Sequence, residues 1–478
     1  MASSIGEPPP LPVAADTREL DRDIWAMAWP TMLSLIVVYL VDIVDVALVG
    51  RLGRETVAAW GYATQCINLV ETLIQAVGIA CVALVARALG ARDLGRARRA
   101  LAGSMLVSEA VALAGFLLAL LMPKTILGWL DATPQVAEIA VPYFCLFAGA
   151  MLLFSAAFMF ESGFRARKTT RAPMAVAVVV MTVKTALSVV LIFGYLGFPQ
   201  LGLVGAGVAT LAAHGVGLLL YIGFSRRAGS AEHGDAGFTF RLDDLRGFWE
   251  VASDVARVAL PSMGERLLMS TALLAYFKQL SGYGTPAVAA YAIGVRLLAL
   301  SWVPGIAFGT AASAFVGHAL GAGDSARARH VGVRSLVQAS MVMGALGVLF
   351  LFLRNPLAAA FAGDARIAEC LAPFMMMLAI AQPFMGAHFT LAGVLRGSGD
   401  TVTPLVATAV GNWGLRVPLA ALASHVNASL SWVWAALIAD HFARMAINGL
   451  TFVFGSWDRQ VGARVTGDKI FAEGDPSS

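Results

Sequence analysis

Charge is scarce in this 478-residue sequence: 34 Lys and Arg with 30 Asp and Glu make up 13% of it, about half the usual soluble share. A soluble shell of this size cannot be covered with so few charges. That excludes an ordinary cytosolic enzyme, a nucleic-acid binder and a disordered scaffold. Cysteine is scarcer still. Cys66, Cys81, Cys145 and Cys370 lie scattered in apolar runs without a CxxC spacing, so neither a zinc site nor a disulfide framework is indicated. The seven histidines form no HExxH, and His214, His318 and His388 stand isolated, so no metal and no cofactor is expected. The first twenty residues, with Pro8-Pro9-Pro10, hold no apolar core segment, and no cleavable signal peptide is expected. What the chain has instead is 58% hydrophobic residues and a mean hydropathy of +0.75. It reads as a polytopic, all-α integral membrane protein.

A spanning helix needs about 20 mostly apolar residues, more when tilted. The hydropathy pattern predicts twelve: 24–49, 57–86, 100–122, 136–163, 173–197, 201–225, 253–280, 287–316, 331–353, 367–394, 403–424 and 430–455. The one long polar interruption, 226–252, joins an N-terminal bundle (24–225) to a C-terminal one (253–455), with tails at 1–23 and 456–478. Lys and Arg crowd the loops on one side. They include Arg87, Arg92, Arg96, Arg98 and Arg99, then Arg165, Arg167, Lys168 and Arg171, then Arg226, Arg227, Arg241, Arg246 and Arg257, then Arg327, Arg329 and Arg334. The other side offers only Arg51, Arg54, Lys124, Arg354 and Arg366. By the positive-inside bias both termini are expected in the cytoplasm.

Shifting the chain by 231 residues superimposes it on itself without a gap. Pro30 falls on Pro261, Ala88-Leu89-Gly90-Ala91 on Ala319-Leu320-Gly321-Ala322, and Asp93 on Asp324. Arg96-Ala97-Arg98 falls on Arg327-Ala328-Arg329, Pro142 on Pro373, Arg165 on Arg396 and Pro173 on Pro404. Each half holds six spans, an even number, so the repeats are parallel and related by an axis along the membrane normal. Two six-helix bundles with a cleft between them suit a transporter. Positions shared by both halves are framework; intramembrane charges confined to one half are candidates for function. Asp42 falls on Leu273, Asp45 on Tyr276, Glu265 on Ser34 and Lys184 on Leu415.

The run Val44-Asp45-Val46-Ala47-Leu48-Val49-Gly50-Arg51-Leu52-Gly53 and the duplicated Ala-Leu-Gly-Ala-x-Asp carry a family resemblance. So do Leu395-Arg396-Gly397-Ser398-Gly399-Asp400-Thr401, Leu415-Arg416-Val417-Pro418-Leu419 and Trp457. Over residues 23–458 the chain resembles the multidrug and toxic compound extrusion (MATE) family of secondary transporters. One departure is Phe164-Arg165-Ala166-Arg167-Lys168-Thr169-Thr170, where the family has Gly-Asp before the Thr; another is Lys184, where it commonly has Asn. The resemblance implies a twelve-helix exporter of bulky organic cations or amphiphiles driven by inward H+ or Na+. It carries the first-helix carboxylate over to Asp45 and the seventh-helix carboxylate to Glu265.

The residues themselves point the same way. An Asp at a helix centre costs about 2.5–3.5 kcal/mol on insertion scales. Asp42 and Asp45, three apart, share a helix face. Two carboxylates that close cannot both ionise cheaply, the arrangement of a proton carrier. With nearby hydroxyls they could equally cage Na+. Lys184 wants a carboxylate partner, and either Asp42 or Asp45 can supply it. Gly61, Gln65, Asn68, Thr72 and Gln75 form a polar stripe suited to a cavity wall, or to hydrogen bonds between helices. Glu265, with Met269, Tyr276 and Gln279 along its face, suits a lipophilic cation, as do Met375-Met376-Met377, Gln382, Met385, His388 and Phe389; core packing is the plainer account of the Met and Phe residues. Arg416, Asp440, His441 and Arg444 read as ion pairs fixing the second bundle.

The expectation is an antiporter of small cationic or amphiphilic molecules, monomeric, contacting lipid but no nucleic acid, in a bacterial inner membrane, with H+ favoured over Na+. Its cleft is expected to be predominantly acidic. The alternative is a lipid-linked saccharide flippase of the same architecture, which should favour an Arg- and Lys-lined cavity. An intramembrane enzyme is the weaker reading, since no GxSxG or HExxH is present.

Overall fold

A computed structural model describes residues 14–228 and 248–458. The polar part of the connector, with Glu232, Asp235, Arg241, Asp243, Asp244 and Arg246, lies outside them. The first half comprises α1 (Ala14–Gly50), α2 (Arg54–Gly90), α3 (Leu94–Leu121), the short α4 (Pro123–Trp129), α5 (Pro134–Ala166), α6 (Arg171–Phe193) and α7 (Leu203–Ala228). The second comprises α8 (Phe248–Leu280), α9 (Thr285–Gly321), α10 (Ser325–Ala362), α11 (Ala365–Gly397), the broken α12 (Val402–Thr408) and α13 (Val417–His425), and α14 (Leu430–Phe454). Counting the broken pair once and omitting α4 gives twelve membrane-length segments in two six-helix bundles. Ten are long and apolar enough to cross a bilayer. The other two, α8 and α14, carry the charges discussed below.

The helices overrun the hydropathy spans at the Arg-rich end, where polar turns continue the backbone ladder beyond the apolar stretch. Residues 14–23 accordingly belong to α1 rather than to a tail: Leu20 and Ile24 are buried, and Asp21 accepts hydrogen bonds from Arg334 and from Gln338 Nε2 (2.9 Å) on α10. Trp457 and Asp458 also pack inward, the latter on Arg329 Nε at 2.7 Å.

The 231-residue repeat persists in backbone geometry where the side chains differ. Arg92 (φ 60) matches Gly323 (φ 78), Lys168 (φ 62) matches Gly399 (φ 89), and Leu196 (φ 58) matches Asn427 (φ 50). The capping carboxylates match too: Asp93 accepts from Arg96 N at 2.7 Å and Asp324 from Arg327 N at 2.8 Å, each satisfying an orphan donor of its helix. One element breaks the symmetry. Helix α6 is continuous, whereas its counterpart is interrupted by a π-helix over Ala409–Arg416, a feature that commonly marks functional segments.

The halves join at the Arg-rich end. There Leu20, Ile24, Met27 and Ala28 of α1 share a core with Phe308, Phe315, Val331 and Val394, while Val255, Val258 and Ala259 of α8 pack into the first half. At the opposite end each half keeps its own core, around Tyr143 and Phe144 in one and Tyr291 and Trp434 in the other. A cleft therefore opens away from the Arg-rich end. Its floor is a symmetric crossing of α2 and α9: Gly90 sits on the carbonyl of His318 and Gly321 on that of Arg87, with no room for a Cβ at either. Across it His318 Nε2 lies 2.8 Å from the carbonyl of Ala166. The Lys168 ammonium stands 4.4 Å over the ring of Phe315, a cation–π contact between halves.

The floor can be tested in two ways. Gly90→Ala forces a methyl against a backbone carbonyl, an overpacking cost of about 1–3 kcal/mol, and should shift the population toward a state with this end parted. Spin labels at Arg92→Cys and Ala326→Cys should move apart; an unchanged distance distribution would refute the role of the crossing. The second test concerns Lys168, whose pKa burial and the nearby Arg327 pull down to about 8, against the opposing pull of Asp23. The group is depressed in the closed state, so closure is penalised while Lys168 is charged and relieved as pH rises through about 8. The same label pair should show the closed population growing from about pH 8 toward the ordinary lysine value of 10.5, and Lys168→Met should flatten that response.

Candidate functional site

The cleft walls hold the intramembrane charges. On the first-half wall Lys184 Nζ lies 2.5 Å from Asp45 Oδ2, both side chains about 15% exposed. Of the two acids available to Lys184, Asp45 is the partner, and its lysine sits on α6 directly across from α1. Asp42, one turn away, is exposed and faces Lys184 and Asp45 without a direct bond to either. Tyr39 and Glu71 continue this polar band. Glu71, on α2, accepts a hydrogen bond from Gln75 Nε2 at 2.8 Å. Gln65 and Asn68 of the same stripe are exposed.

On the second-half wall Arg396 Nη2 donates to Glu265 Oε2 at 2.6 Å, and Thr408 Oγ1 donates to Glu265 Oε1 at 3.2 Å. Glu265 is thus a paired acid rather than a lone one. Removing either partner of such a half-dry pair strands the other charge, at a cost of about 3–5 kcal/mol when fully buried. The adjacent Arg266 lies within electrostatic reach of Glu71 and Tyr39 across the cleft and of Arg396 beside it. It makes no hydrogen bond or ion pair among the described residues. The expectation of a predominantly acidic cleft is therefore corrected: two of its four carboxylates are neutralised by bases, and a further arginine stands among them.

The other candidates divide. Met269 and Phe389 are half-buried, and the Phe389 ring packs on His388 at 4.2 Å and edge-on to Trp302 at 6.0 Å. Tyr276 and Met385 are fully buried and do not line the cleft. The Tyr276 hydroxyl donates to the carbonyl of Val433 at 2.7 Å, and the ring stacks among Tyr291 and Trp434 under the guanidinium of Arg416. Met375, Gln382 and His388 are buried as well. Asp440 accepts from Arg444 Nε at 2.7 Å and faces Arg416 Nη1 at 3.7 Å. This triad ties α14 to the π-helix, whose Gly411 passes against Asp440 where a Cβ would not fit. His441 stacks on His388 at 5.2 Å beside it. Arg416, Asp440 and Arg444 are thus ion pairs of the second bundle, as the sequence suggested, whereas His441 makes no ion pair among the described residues and packs on His388 instead.

Glu71, Arg266 and the glutamate-binding role of Arg396 were missed. A signal for the first two was available: under the repeat Glu71 falls on Trp302 and Arg266 on Leu35, charges confined to one half. Arg396 offered none, because its repeat mate Arg165 is spent on Glu161 of its own helix.

Two parallel-repeat bundles, a cleft open at one end and charged walls define a multi-pass membrane transporter. The MatE family model matches residues 30–190 and 261–422, once in each half. The chain belongs to that family of multidrug efflux transporters. It is 25% identical over 448 residues to the probable multidrug resistance protein NorM of Thermotoga maritima, covering 92% of this chain and 94% of that one. It is 30% identical over 389 residues to the probable multidrug resistance protein NorM of Rhizobium meliloti, covering 78% and 80%. Its fold is similar to that of the Vibrio cholerae MATE transporter VcmN in the bent form, with a TM-score of 0.85 at 21% identity over 94% of this chain and 99% of that one.

Proposed function

We propose that this protein is a proton-coupled antiporter that exports organic cations or amphiphilic drugs from a bacterial cytoplasm across the inner membrane. It acts as a monomer with both termini inside and makes no covalent change to its cargo. The Asp45–Lys184 pair carries this reading. Asp45 and Asp42 share a helix face at the wall of a cleft open to the outer side. A proton arriving there neutralises a carboxylate and releases Lys184, which changes the charge holding α1 against α6. The state that this favours is the one with the floor parted, and the proton leaves to the cytoplasm. The lysine also sets the ion: its ammonium occupies the position a second small cation would take, which favours H+ over Na+. The bundles 24–225 and 253–455 are the units that rock about the cleft.

In proteoliposomes, efflux of a lipophilic cation should follow an imposed pH gradient. Asp45→Asn should reduce it to the level of empty liposomes while leaving the protein folded. Lys184→Ala should move the pH optimum upward, because the carboxylate no longer has a cation competing with the proton. Efflux that followed a Na+ gradient and ignored ΔpH would overturn proton coupling. The orientation rests on the Arg-rich loops. Cysteines at Arg92, Lys168 and Arg327 should stay unreactive to an impermeant thiol reagent applied to intact cells, and labelling from outside would reverse the topology.

A further inference from the structure

The unpaired charges of the cleft are not mixed at random. Once Asp45 is matched with Lys184 and Glu265 with Arg396, the first-half wall retains Asp42 and Glu71. The second-half wall retains Arg266 and a further guanidinium, Arg296 of α9. Arg296 is exposed and makes no hydrogen bond or ion pair among the described residues. The repeat fixes where it faces. Gly61, Gln65 and Leu69 form the open face of α2, and the 231-residue shift carries them onto Ala292, Arg296 and Leu300, all likewise exposed on α9. These helices cross at the cleft floor through equivalent glycines, so by the pseudo-twofold relation their equivalent faces line opposite walls. Arg396 adds a buried Nε without a partner beside Arg266.

We propose that the cleft is polarised in charge and selects zwitterionic amphiphiles, whose cationic end lies toward Asp42 and Glu71 and whose anionic group is held by Arg266 and Arg296. This rests on reading the cleft as the substrate site and adds the class of substrate. An unpaired guanidinium in a partly desolvated wall presents a planar fork that a carboxylate, sulfonate or phosphonate satisfies with two hydrogen bonds. The arrangement also discriminates: a simple anion meets two carboxylates, and a simple cation leaves the guanidiniums without a partner and binds less tightly. A molecule carrying both charges satisfies both walls and bridges the halves.

The test uses the purified full-length protein and two probes that differ in one group, an aminoxanthylium dye with a free benzoate and its methyl ester, with binding read by fluorescence polarisation. The wild type should bind the acid about tenfold more tightly than the ester, the scale of one charge-assisted contact. Arg266→Gln and Arg296→Gln should each collapse that ratio toward one while leaving ester binding within about twofold. Asp42→Asn should weaken both dyes alike and leave the ratio unchanged. Arg296 is exposed and makes no hydrogen bond or ion pair among the described residues, so its variant keeps the fold even if Arg266→Gln does not. A wild type that binds the ester as tightly as the acid, or a ratio untouched in both arginine variants, overturns the proposal. Gradient-driven transport of the ester, measured separately, decides the export reading whichever way the binding ratio falls.

Discussion

The close crossing of α2 and α9 is the contact on which the rest of this structure depends. Two helix backbones approach until Gly90 and Gly321 each rest on a carbonyl of the opposite half. With no side chains between them the backbones pack directly, and such close packing is a main source of helix association where lipid is as apolar as the protein. That contact seals one end, draws the start of α1 against α9 and α10, and leaves the other ends of the bundles with separate cores. Cleft, opening and charged walls are consequences of where the helices touch and where they part.

The second constraint is the cost of charge in a low-dielectric medium. It explains why Asp45 and Glu265 have bases within hydrogen-bond distance, and why Asp440 is held between two arginines at zero exposure. The two kinds of pair differ in setting. The Asp440 triad is buried inside one bundle, where any rearrangement strands a charge, so it locks α14 to the π-helix. The Asp45 and Glu265 pairs face the cleft and stay partly exposed. The asymmetry between α6 and the broken α12–α13 places Lys184 in one half and the π-helix in the other, so the two bundles offer different chemistry on one framework.

Much of the candidate site was legible. The repeat separated Asp42, Asp45, Lys184 and Glu265 from framework positions, and three of the four prove to be in direct ion pairs. Residue type and helical face were a poorer guide for Tyr276 and Met385. Both lie on the apparent cavity side of their helices, yet they are buried in the core of the second half, Tyr276 against Val433 and Trp434 of α14, because large aromatic and thioether side chains are what a tightly packed core consumes. Arg266 escaped notice for the opposite reason: adjacency to Glu265 suggested no separate role, since neighbours in sequence point to different faces of a helix.

The sequence by itself determined the twelve spans, the two parallel halves and the gathering of the basic loops at one end. Hydropathy, a gap-free 231-residue shift and Lys/Arg placement are one-dimensional properties that the bilayer turns directly into topology. Only the tertiary structure decided that Lys184 joins Asp45 rather than Asp42, that Glu265 is bound by Arg396 from 131 residues away, and that the end carrying Gly90 and Gly321 is the closed one. Those outcomes depend on distances of a few ångströms between side chains on different helices. Helix rotation and crossing geometry, set by packing rather than by any local pattern, fix such distances.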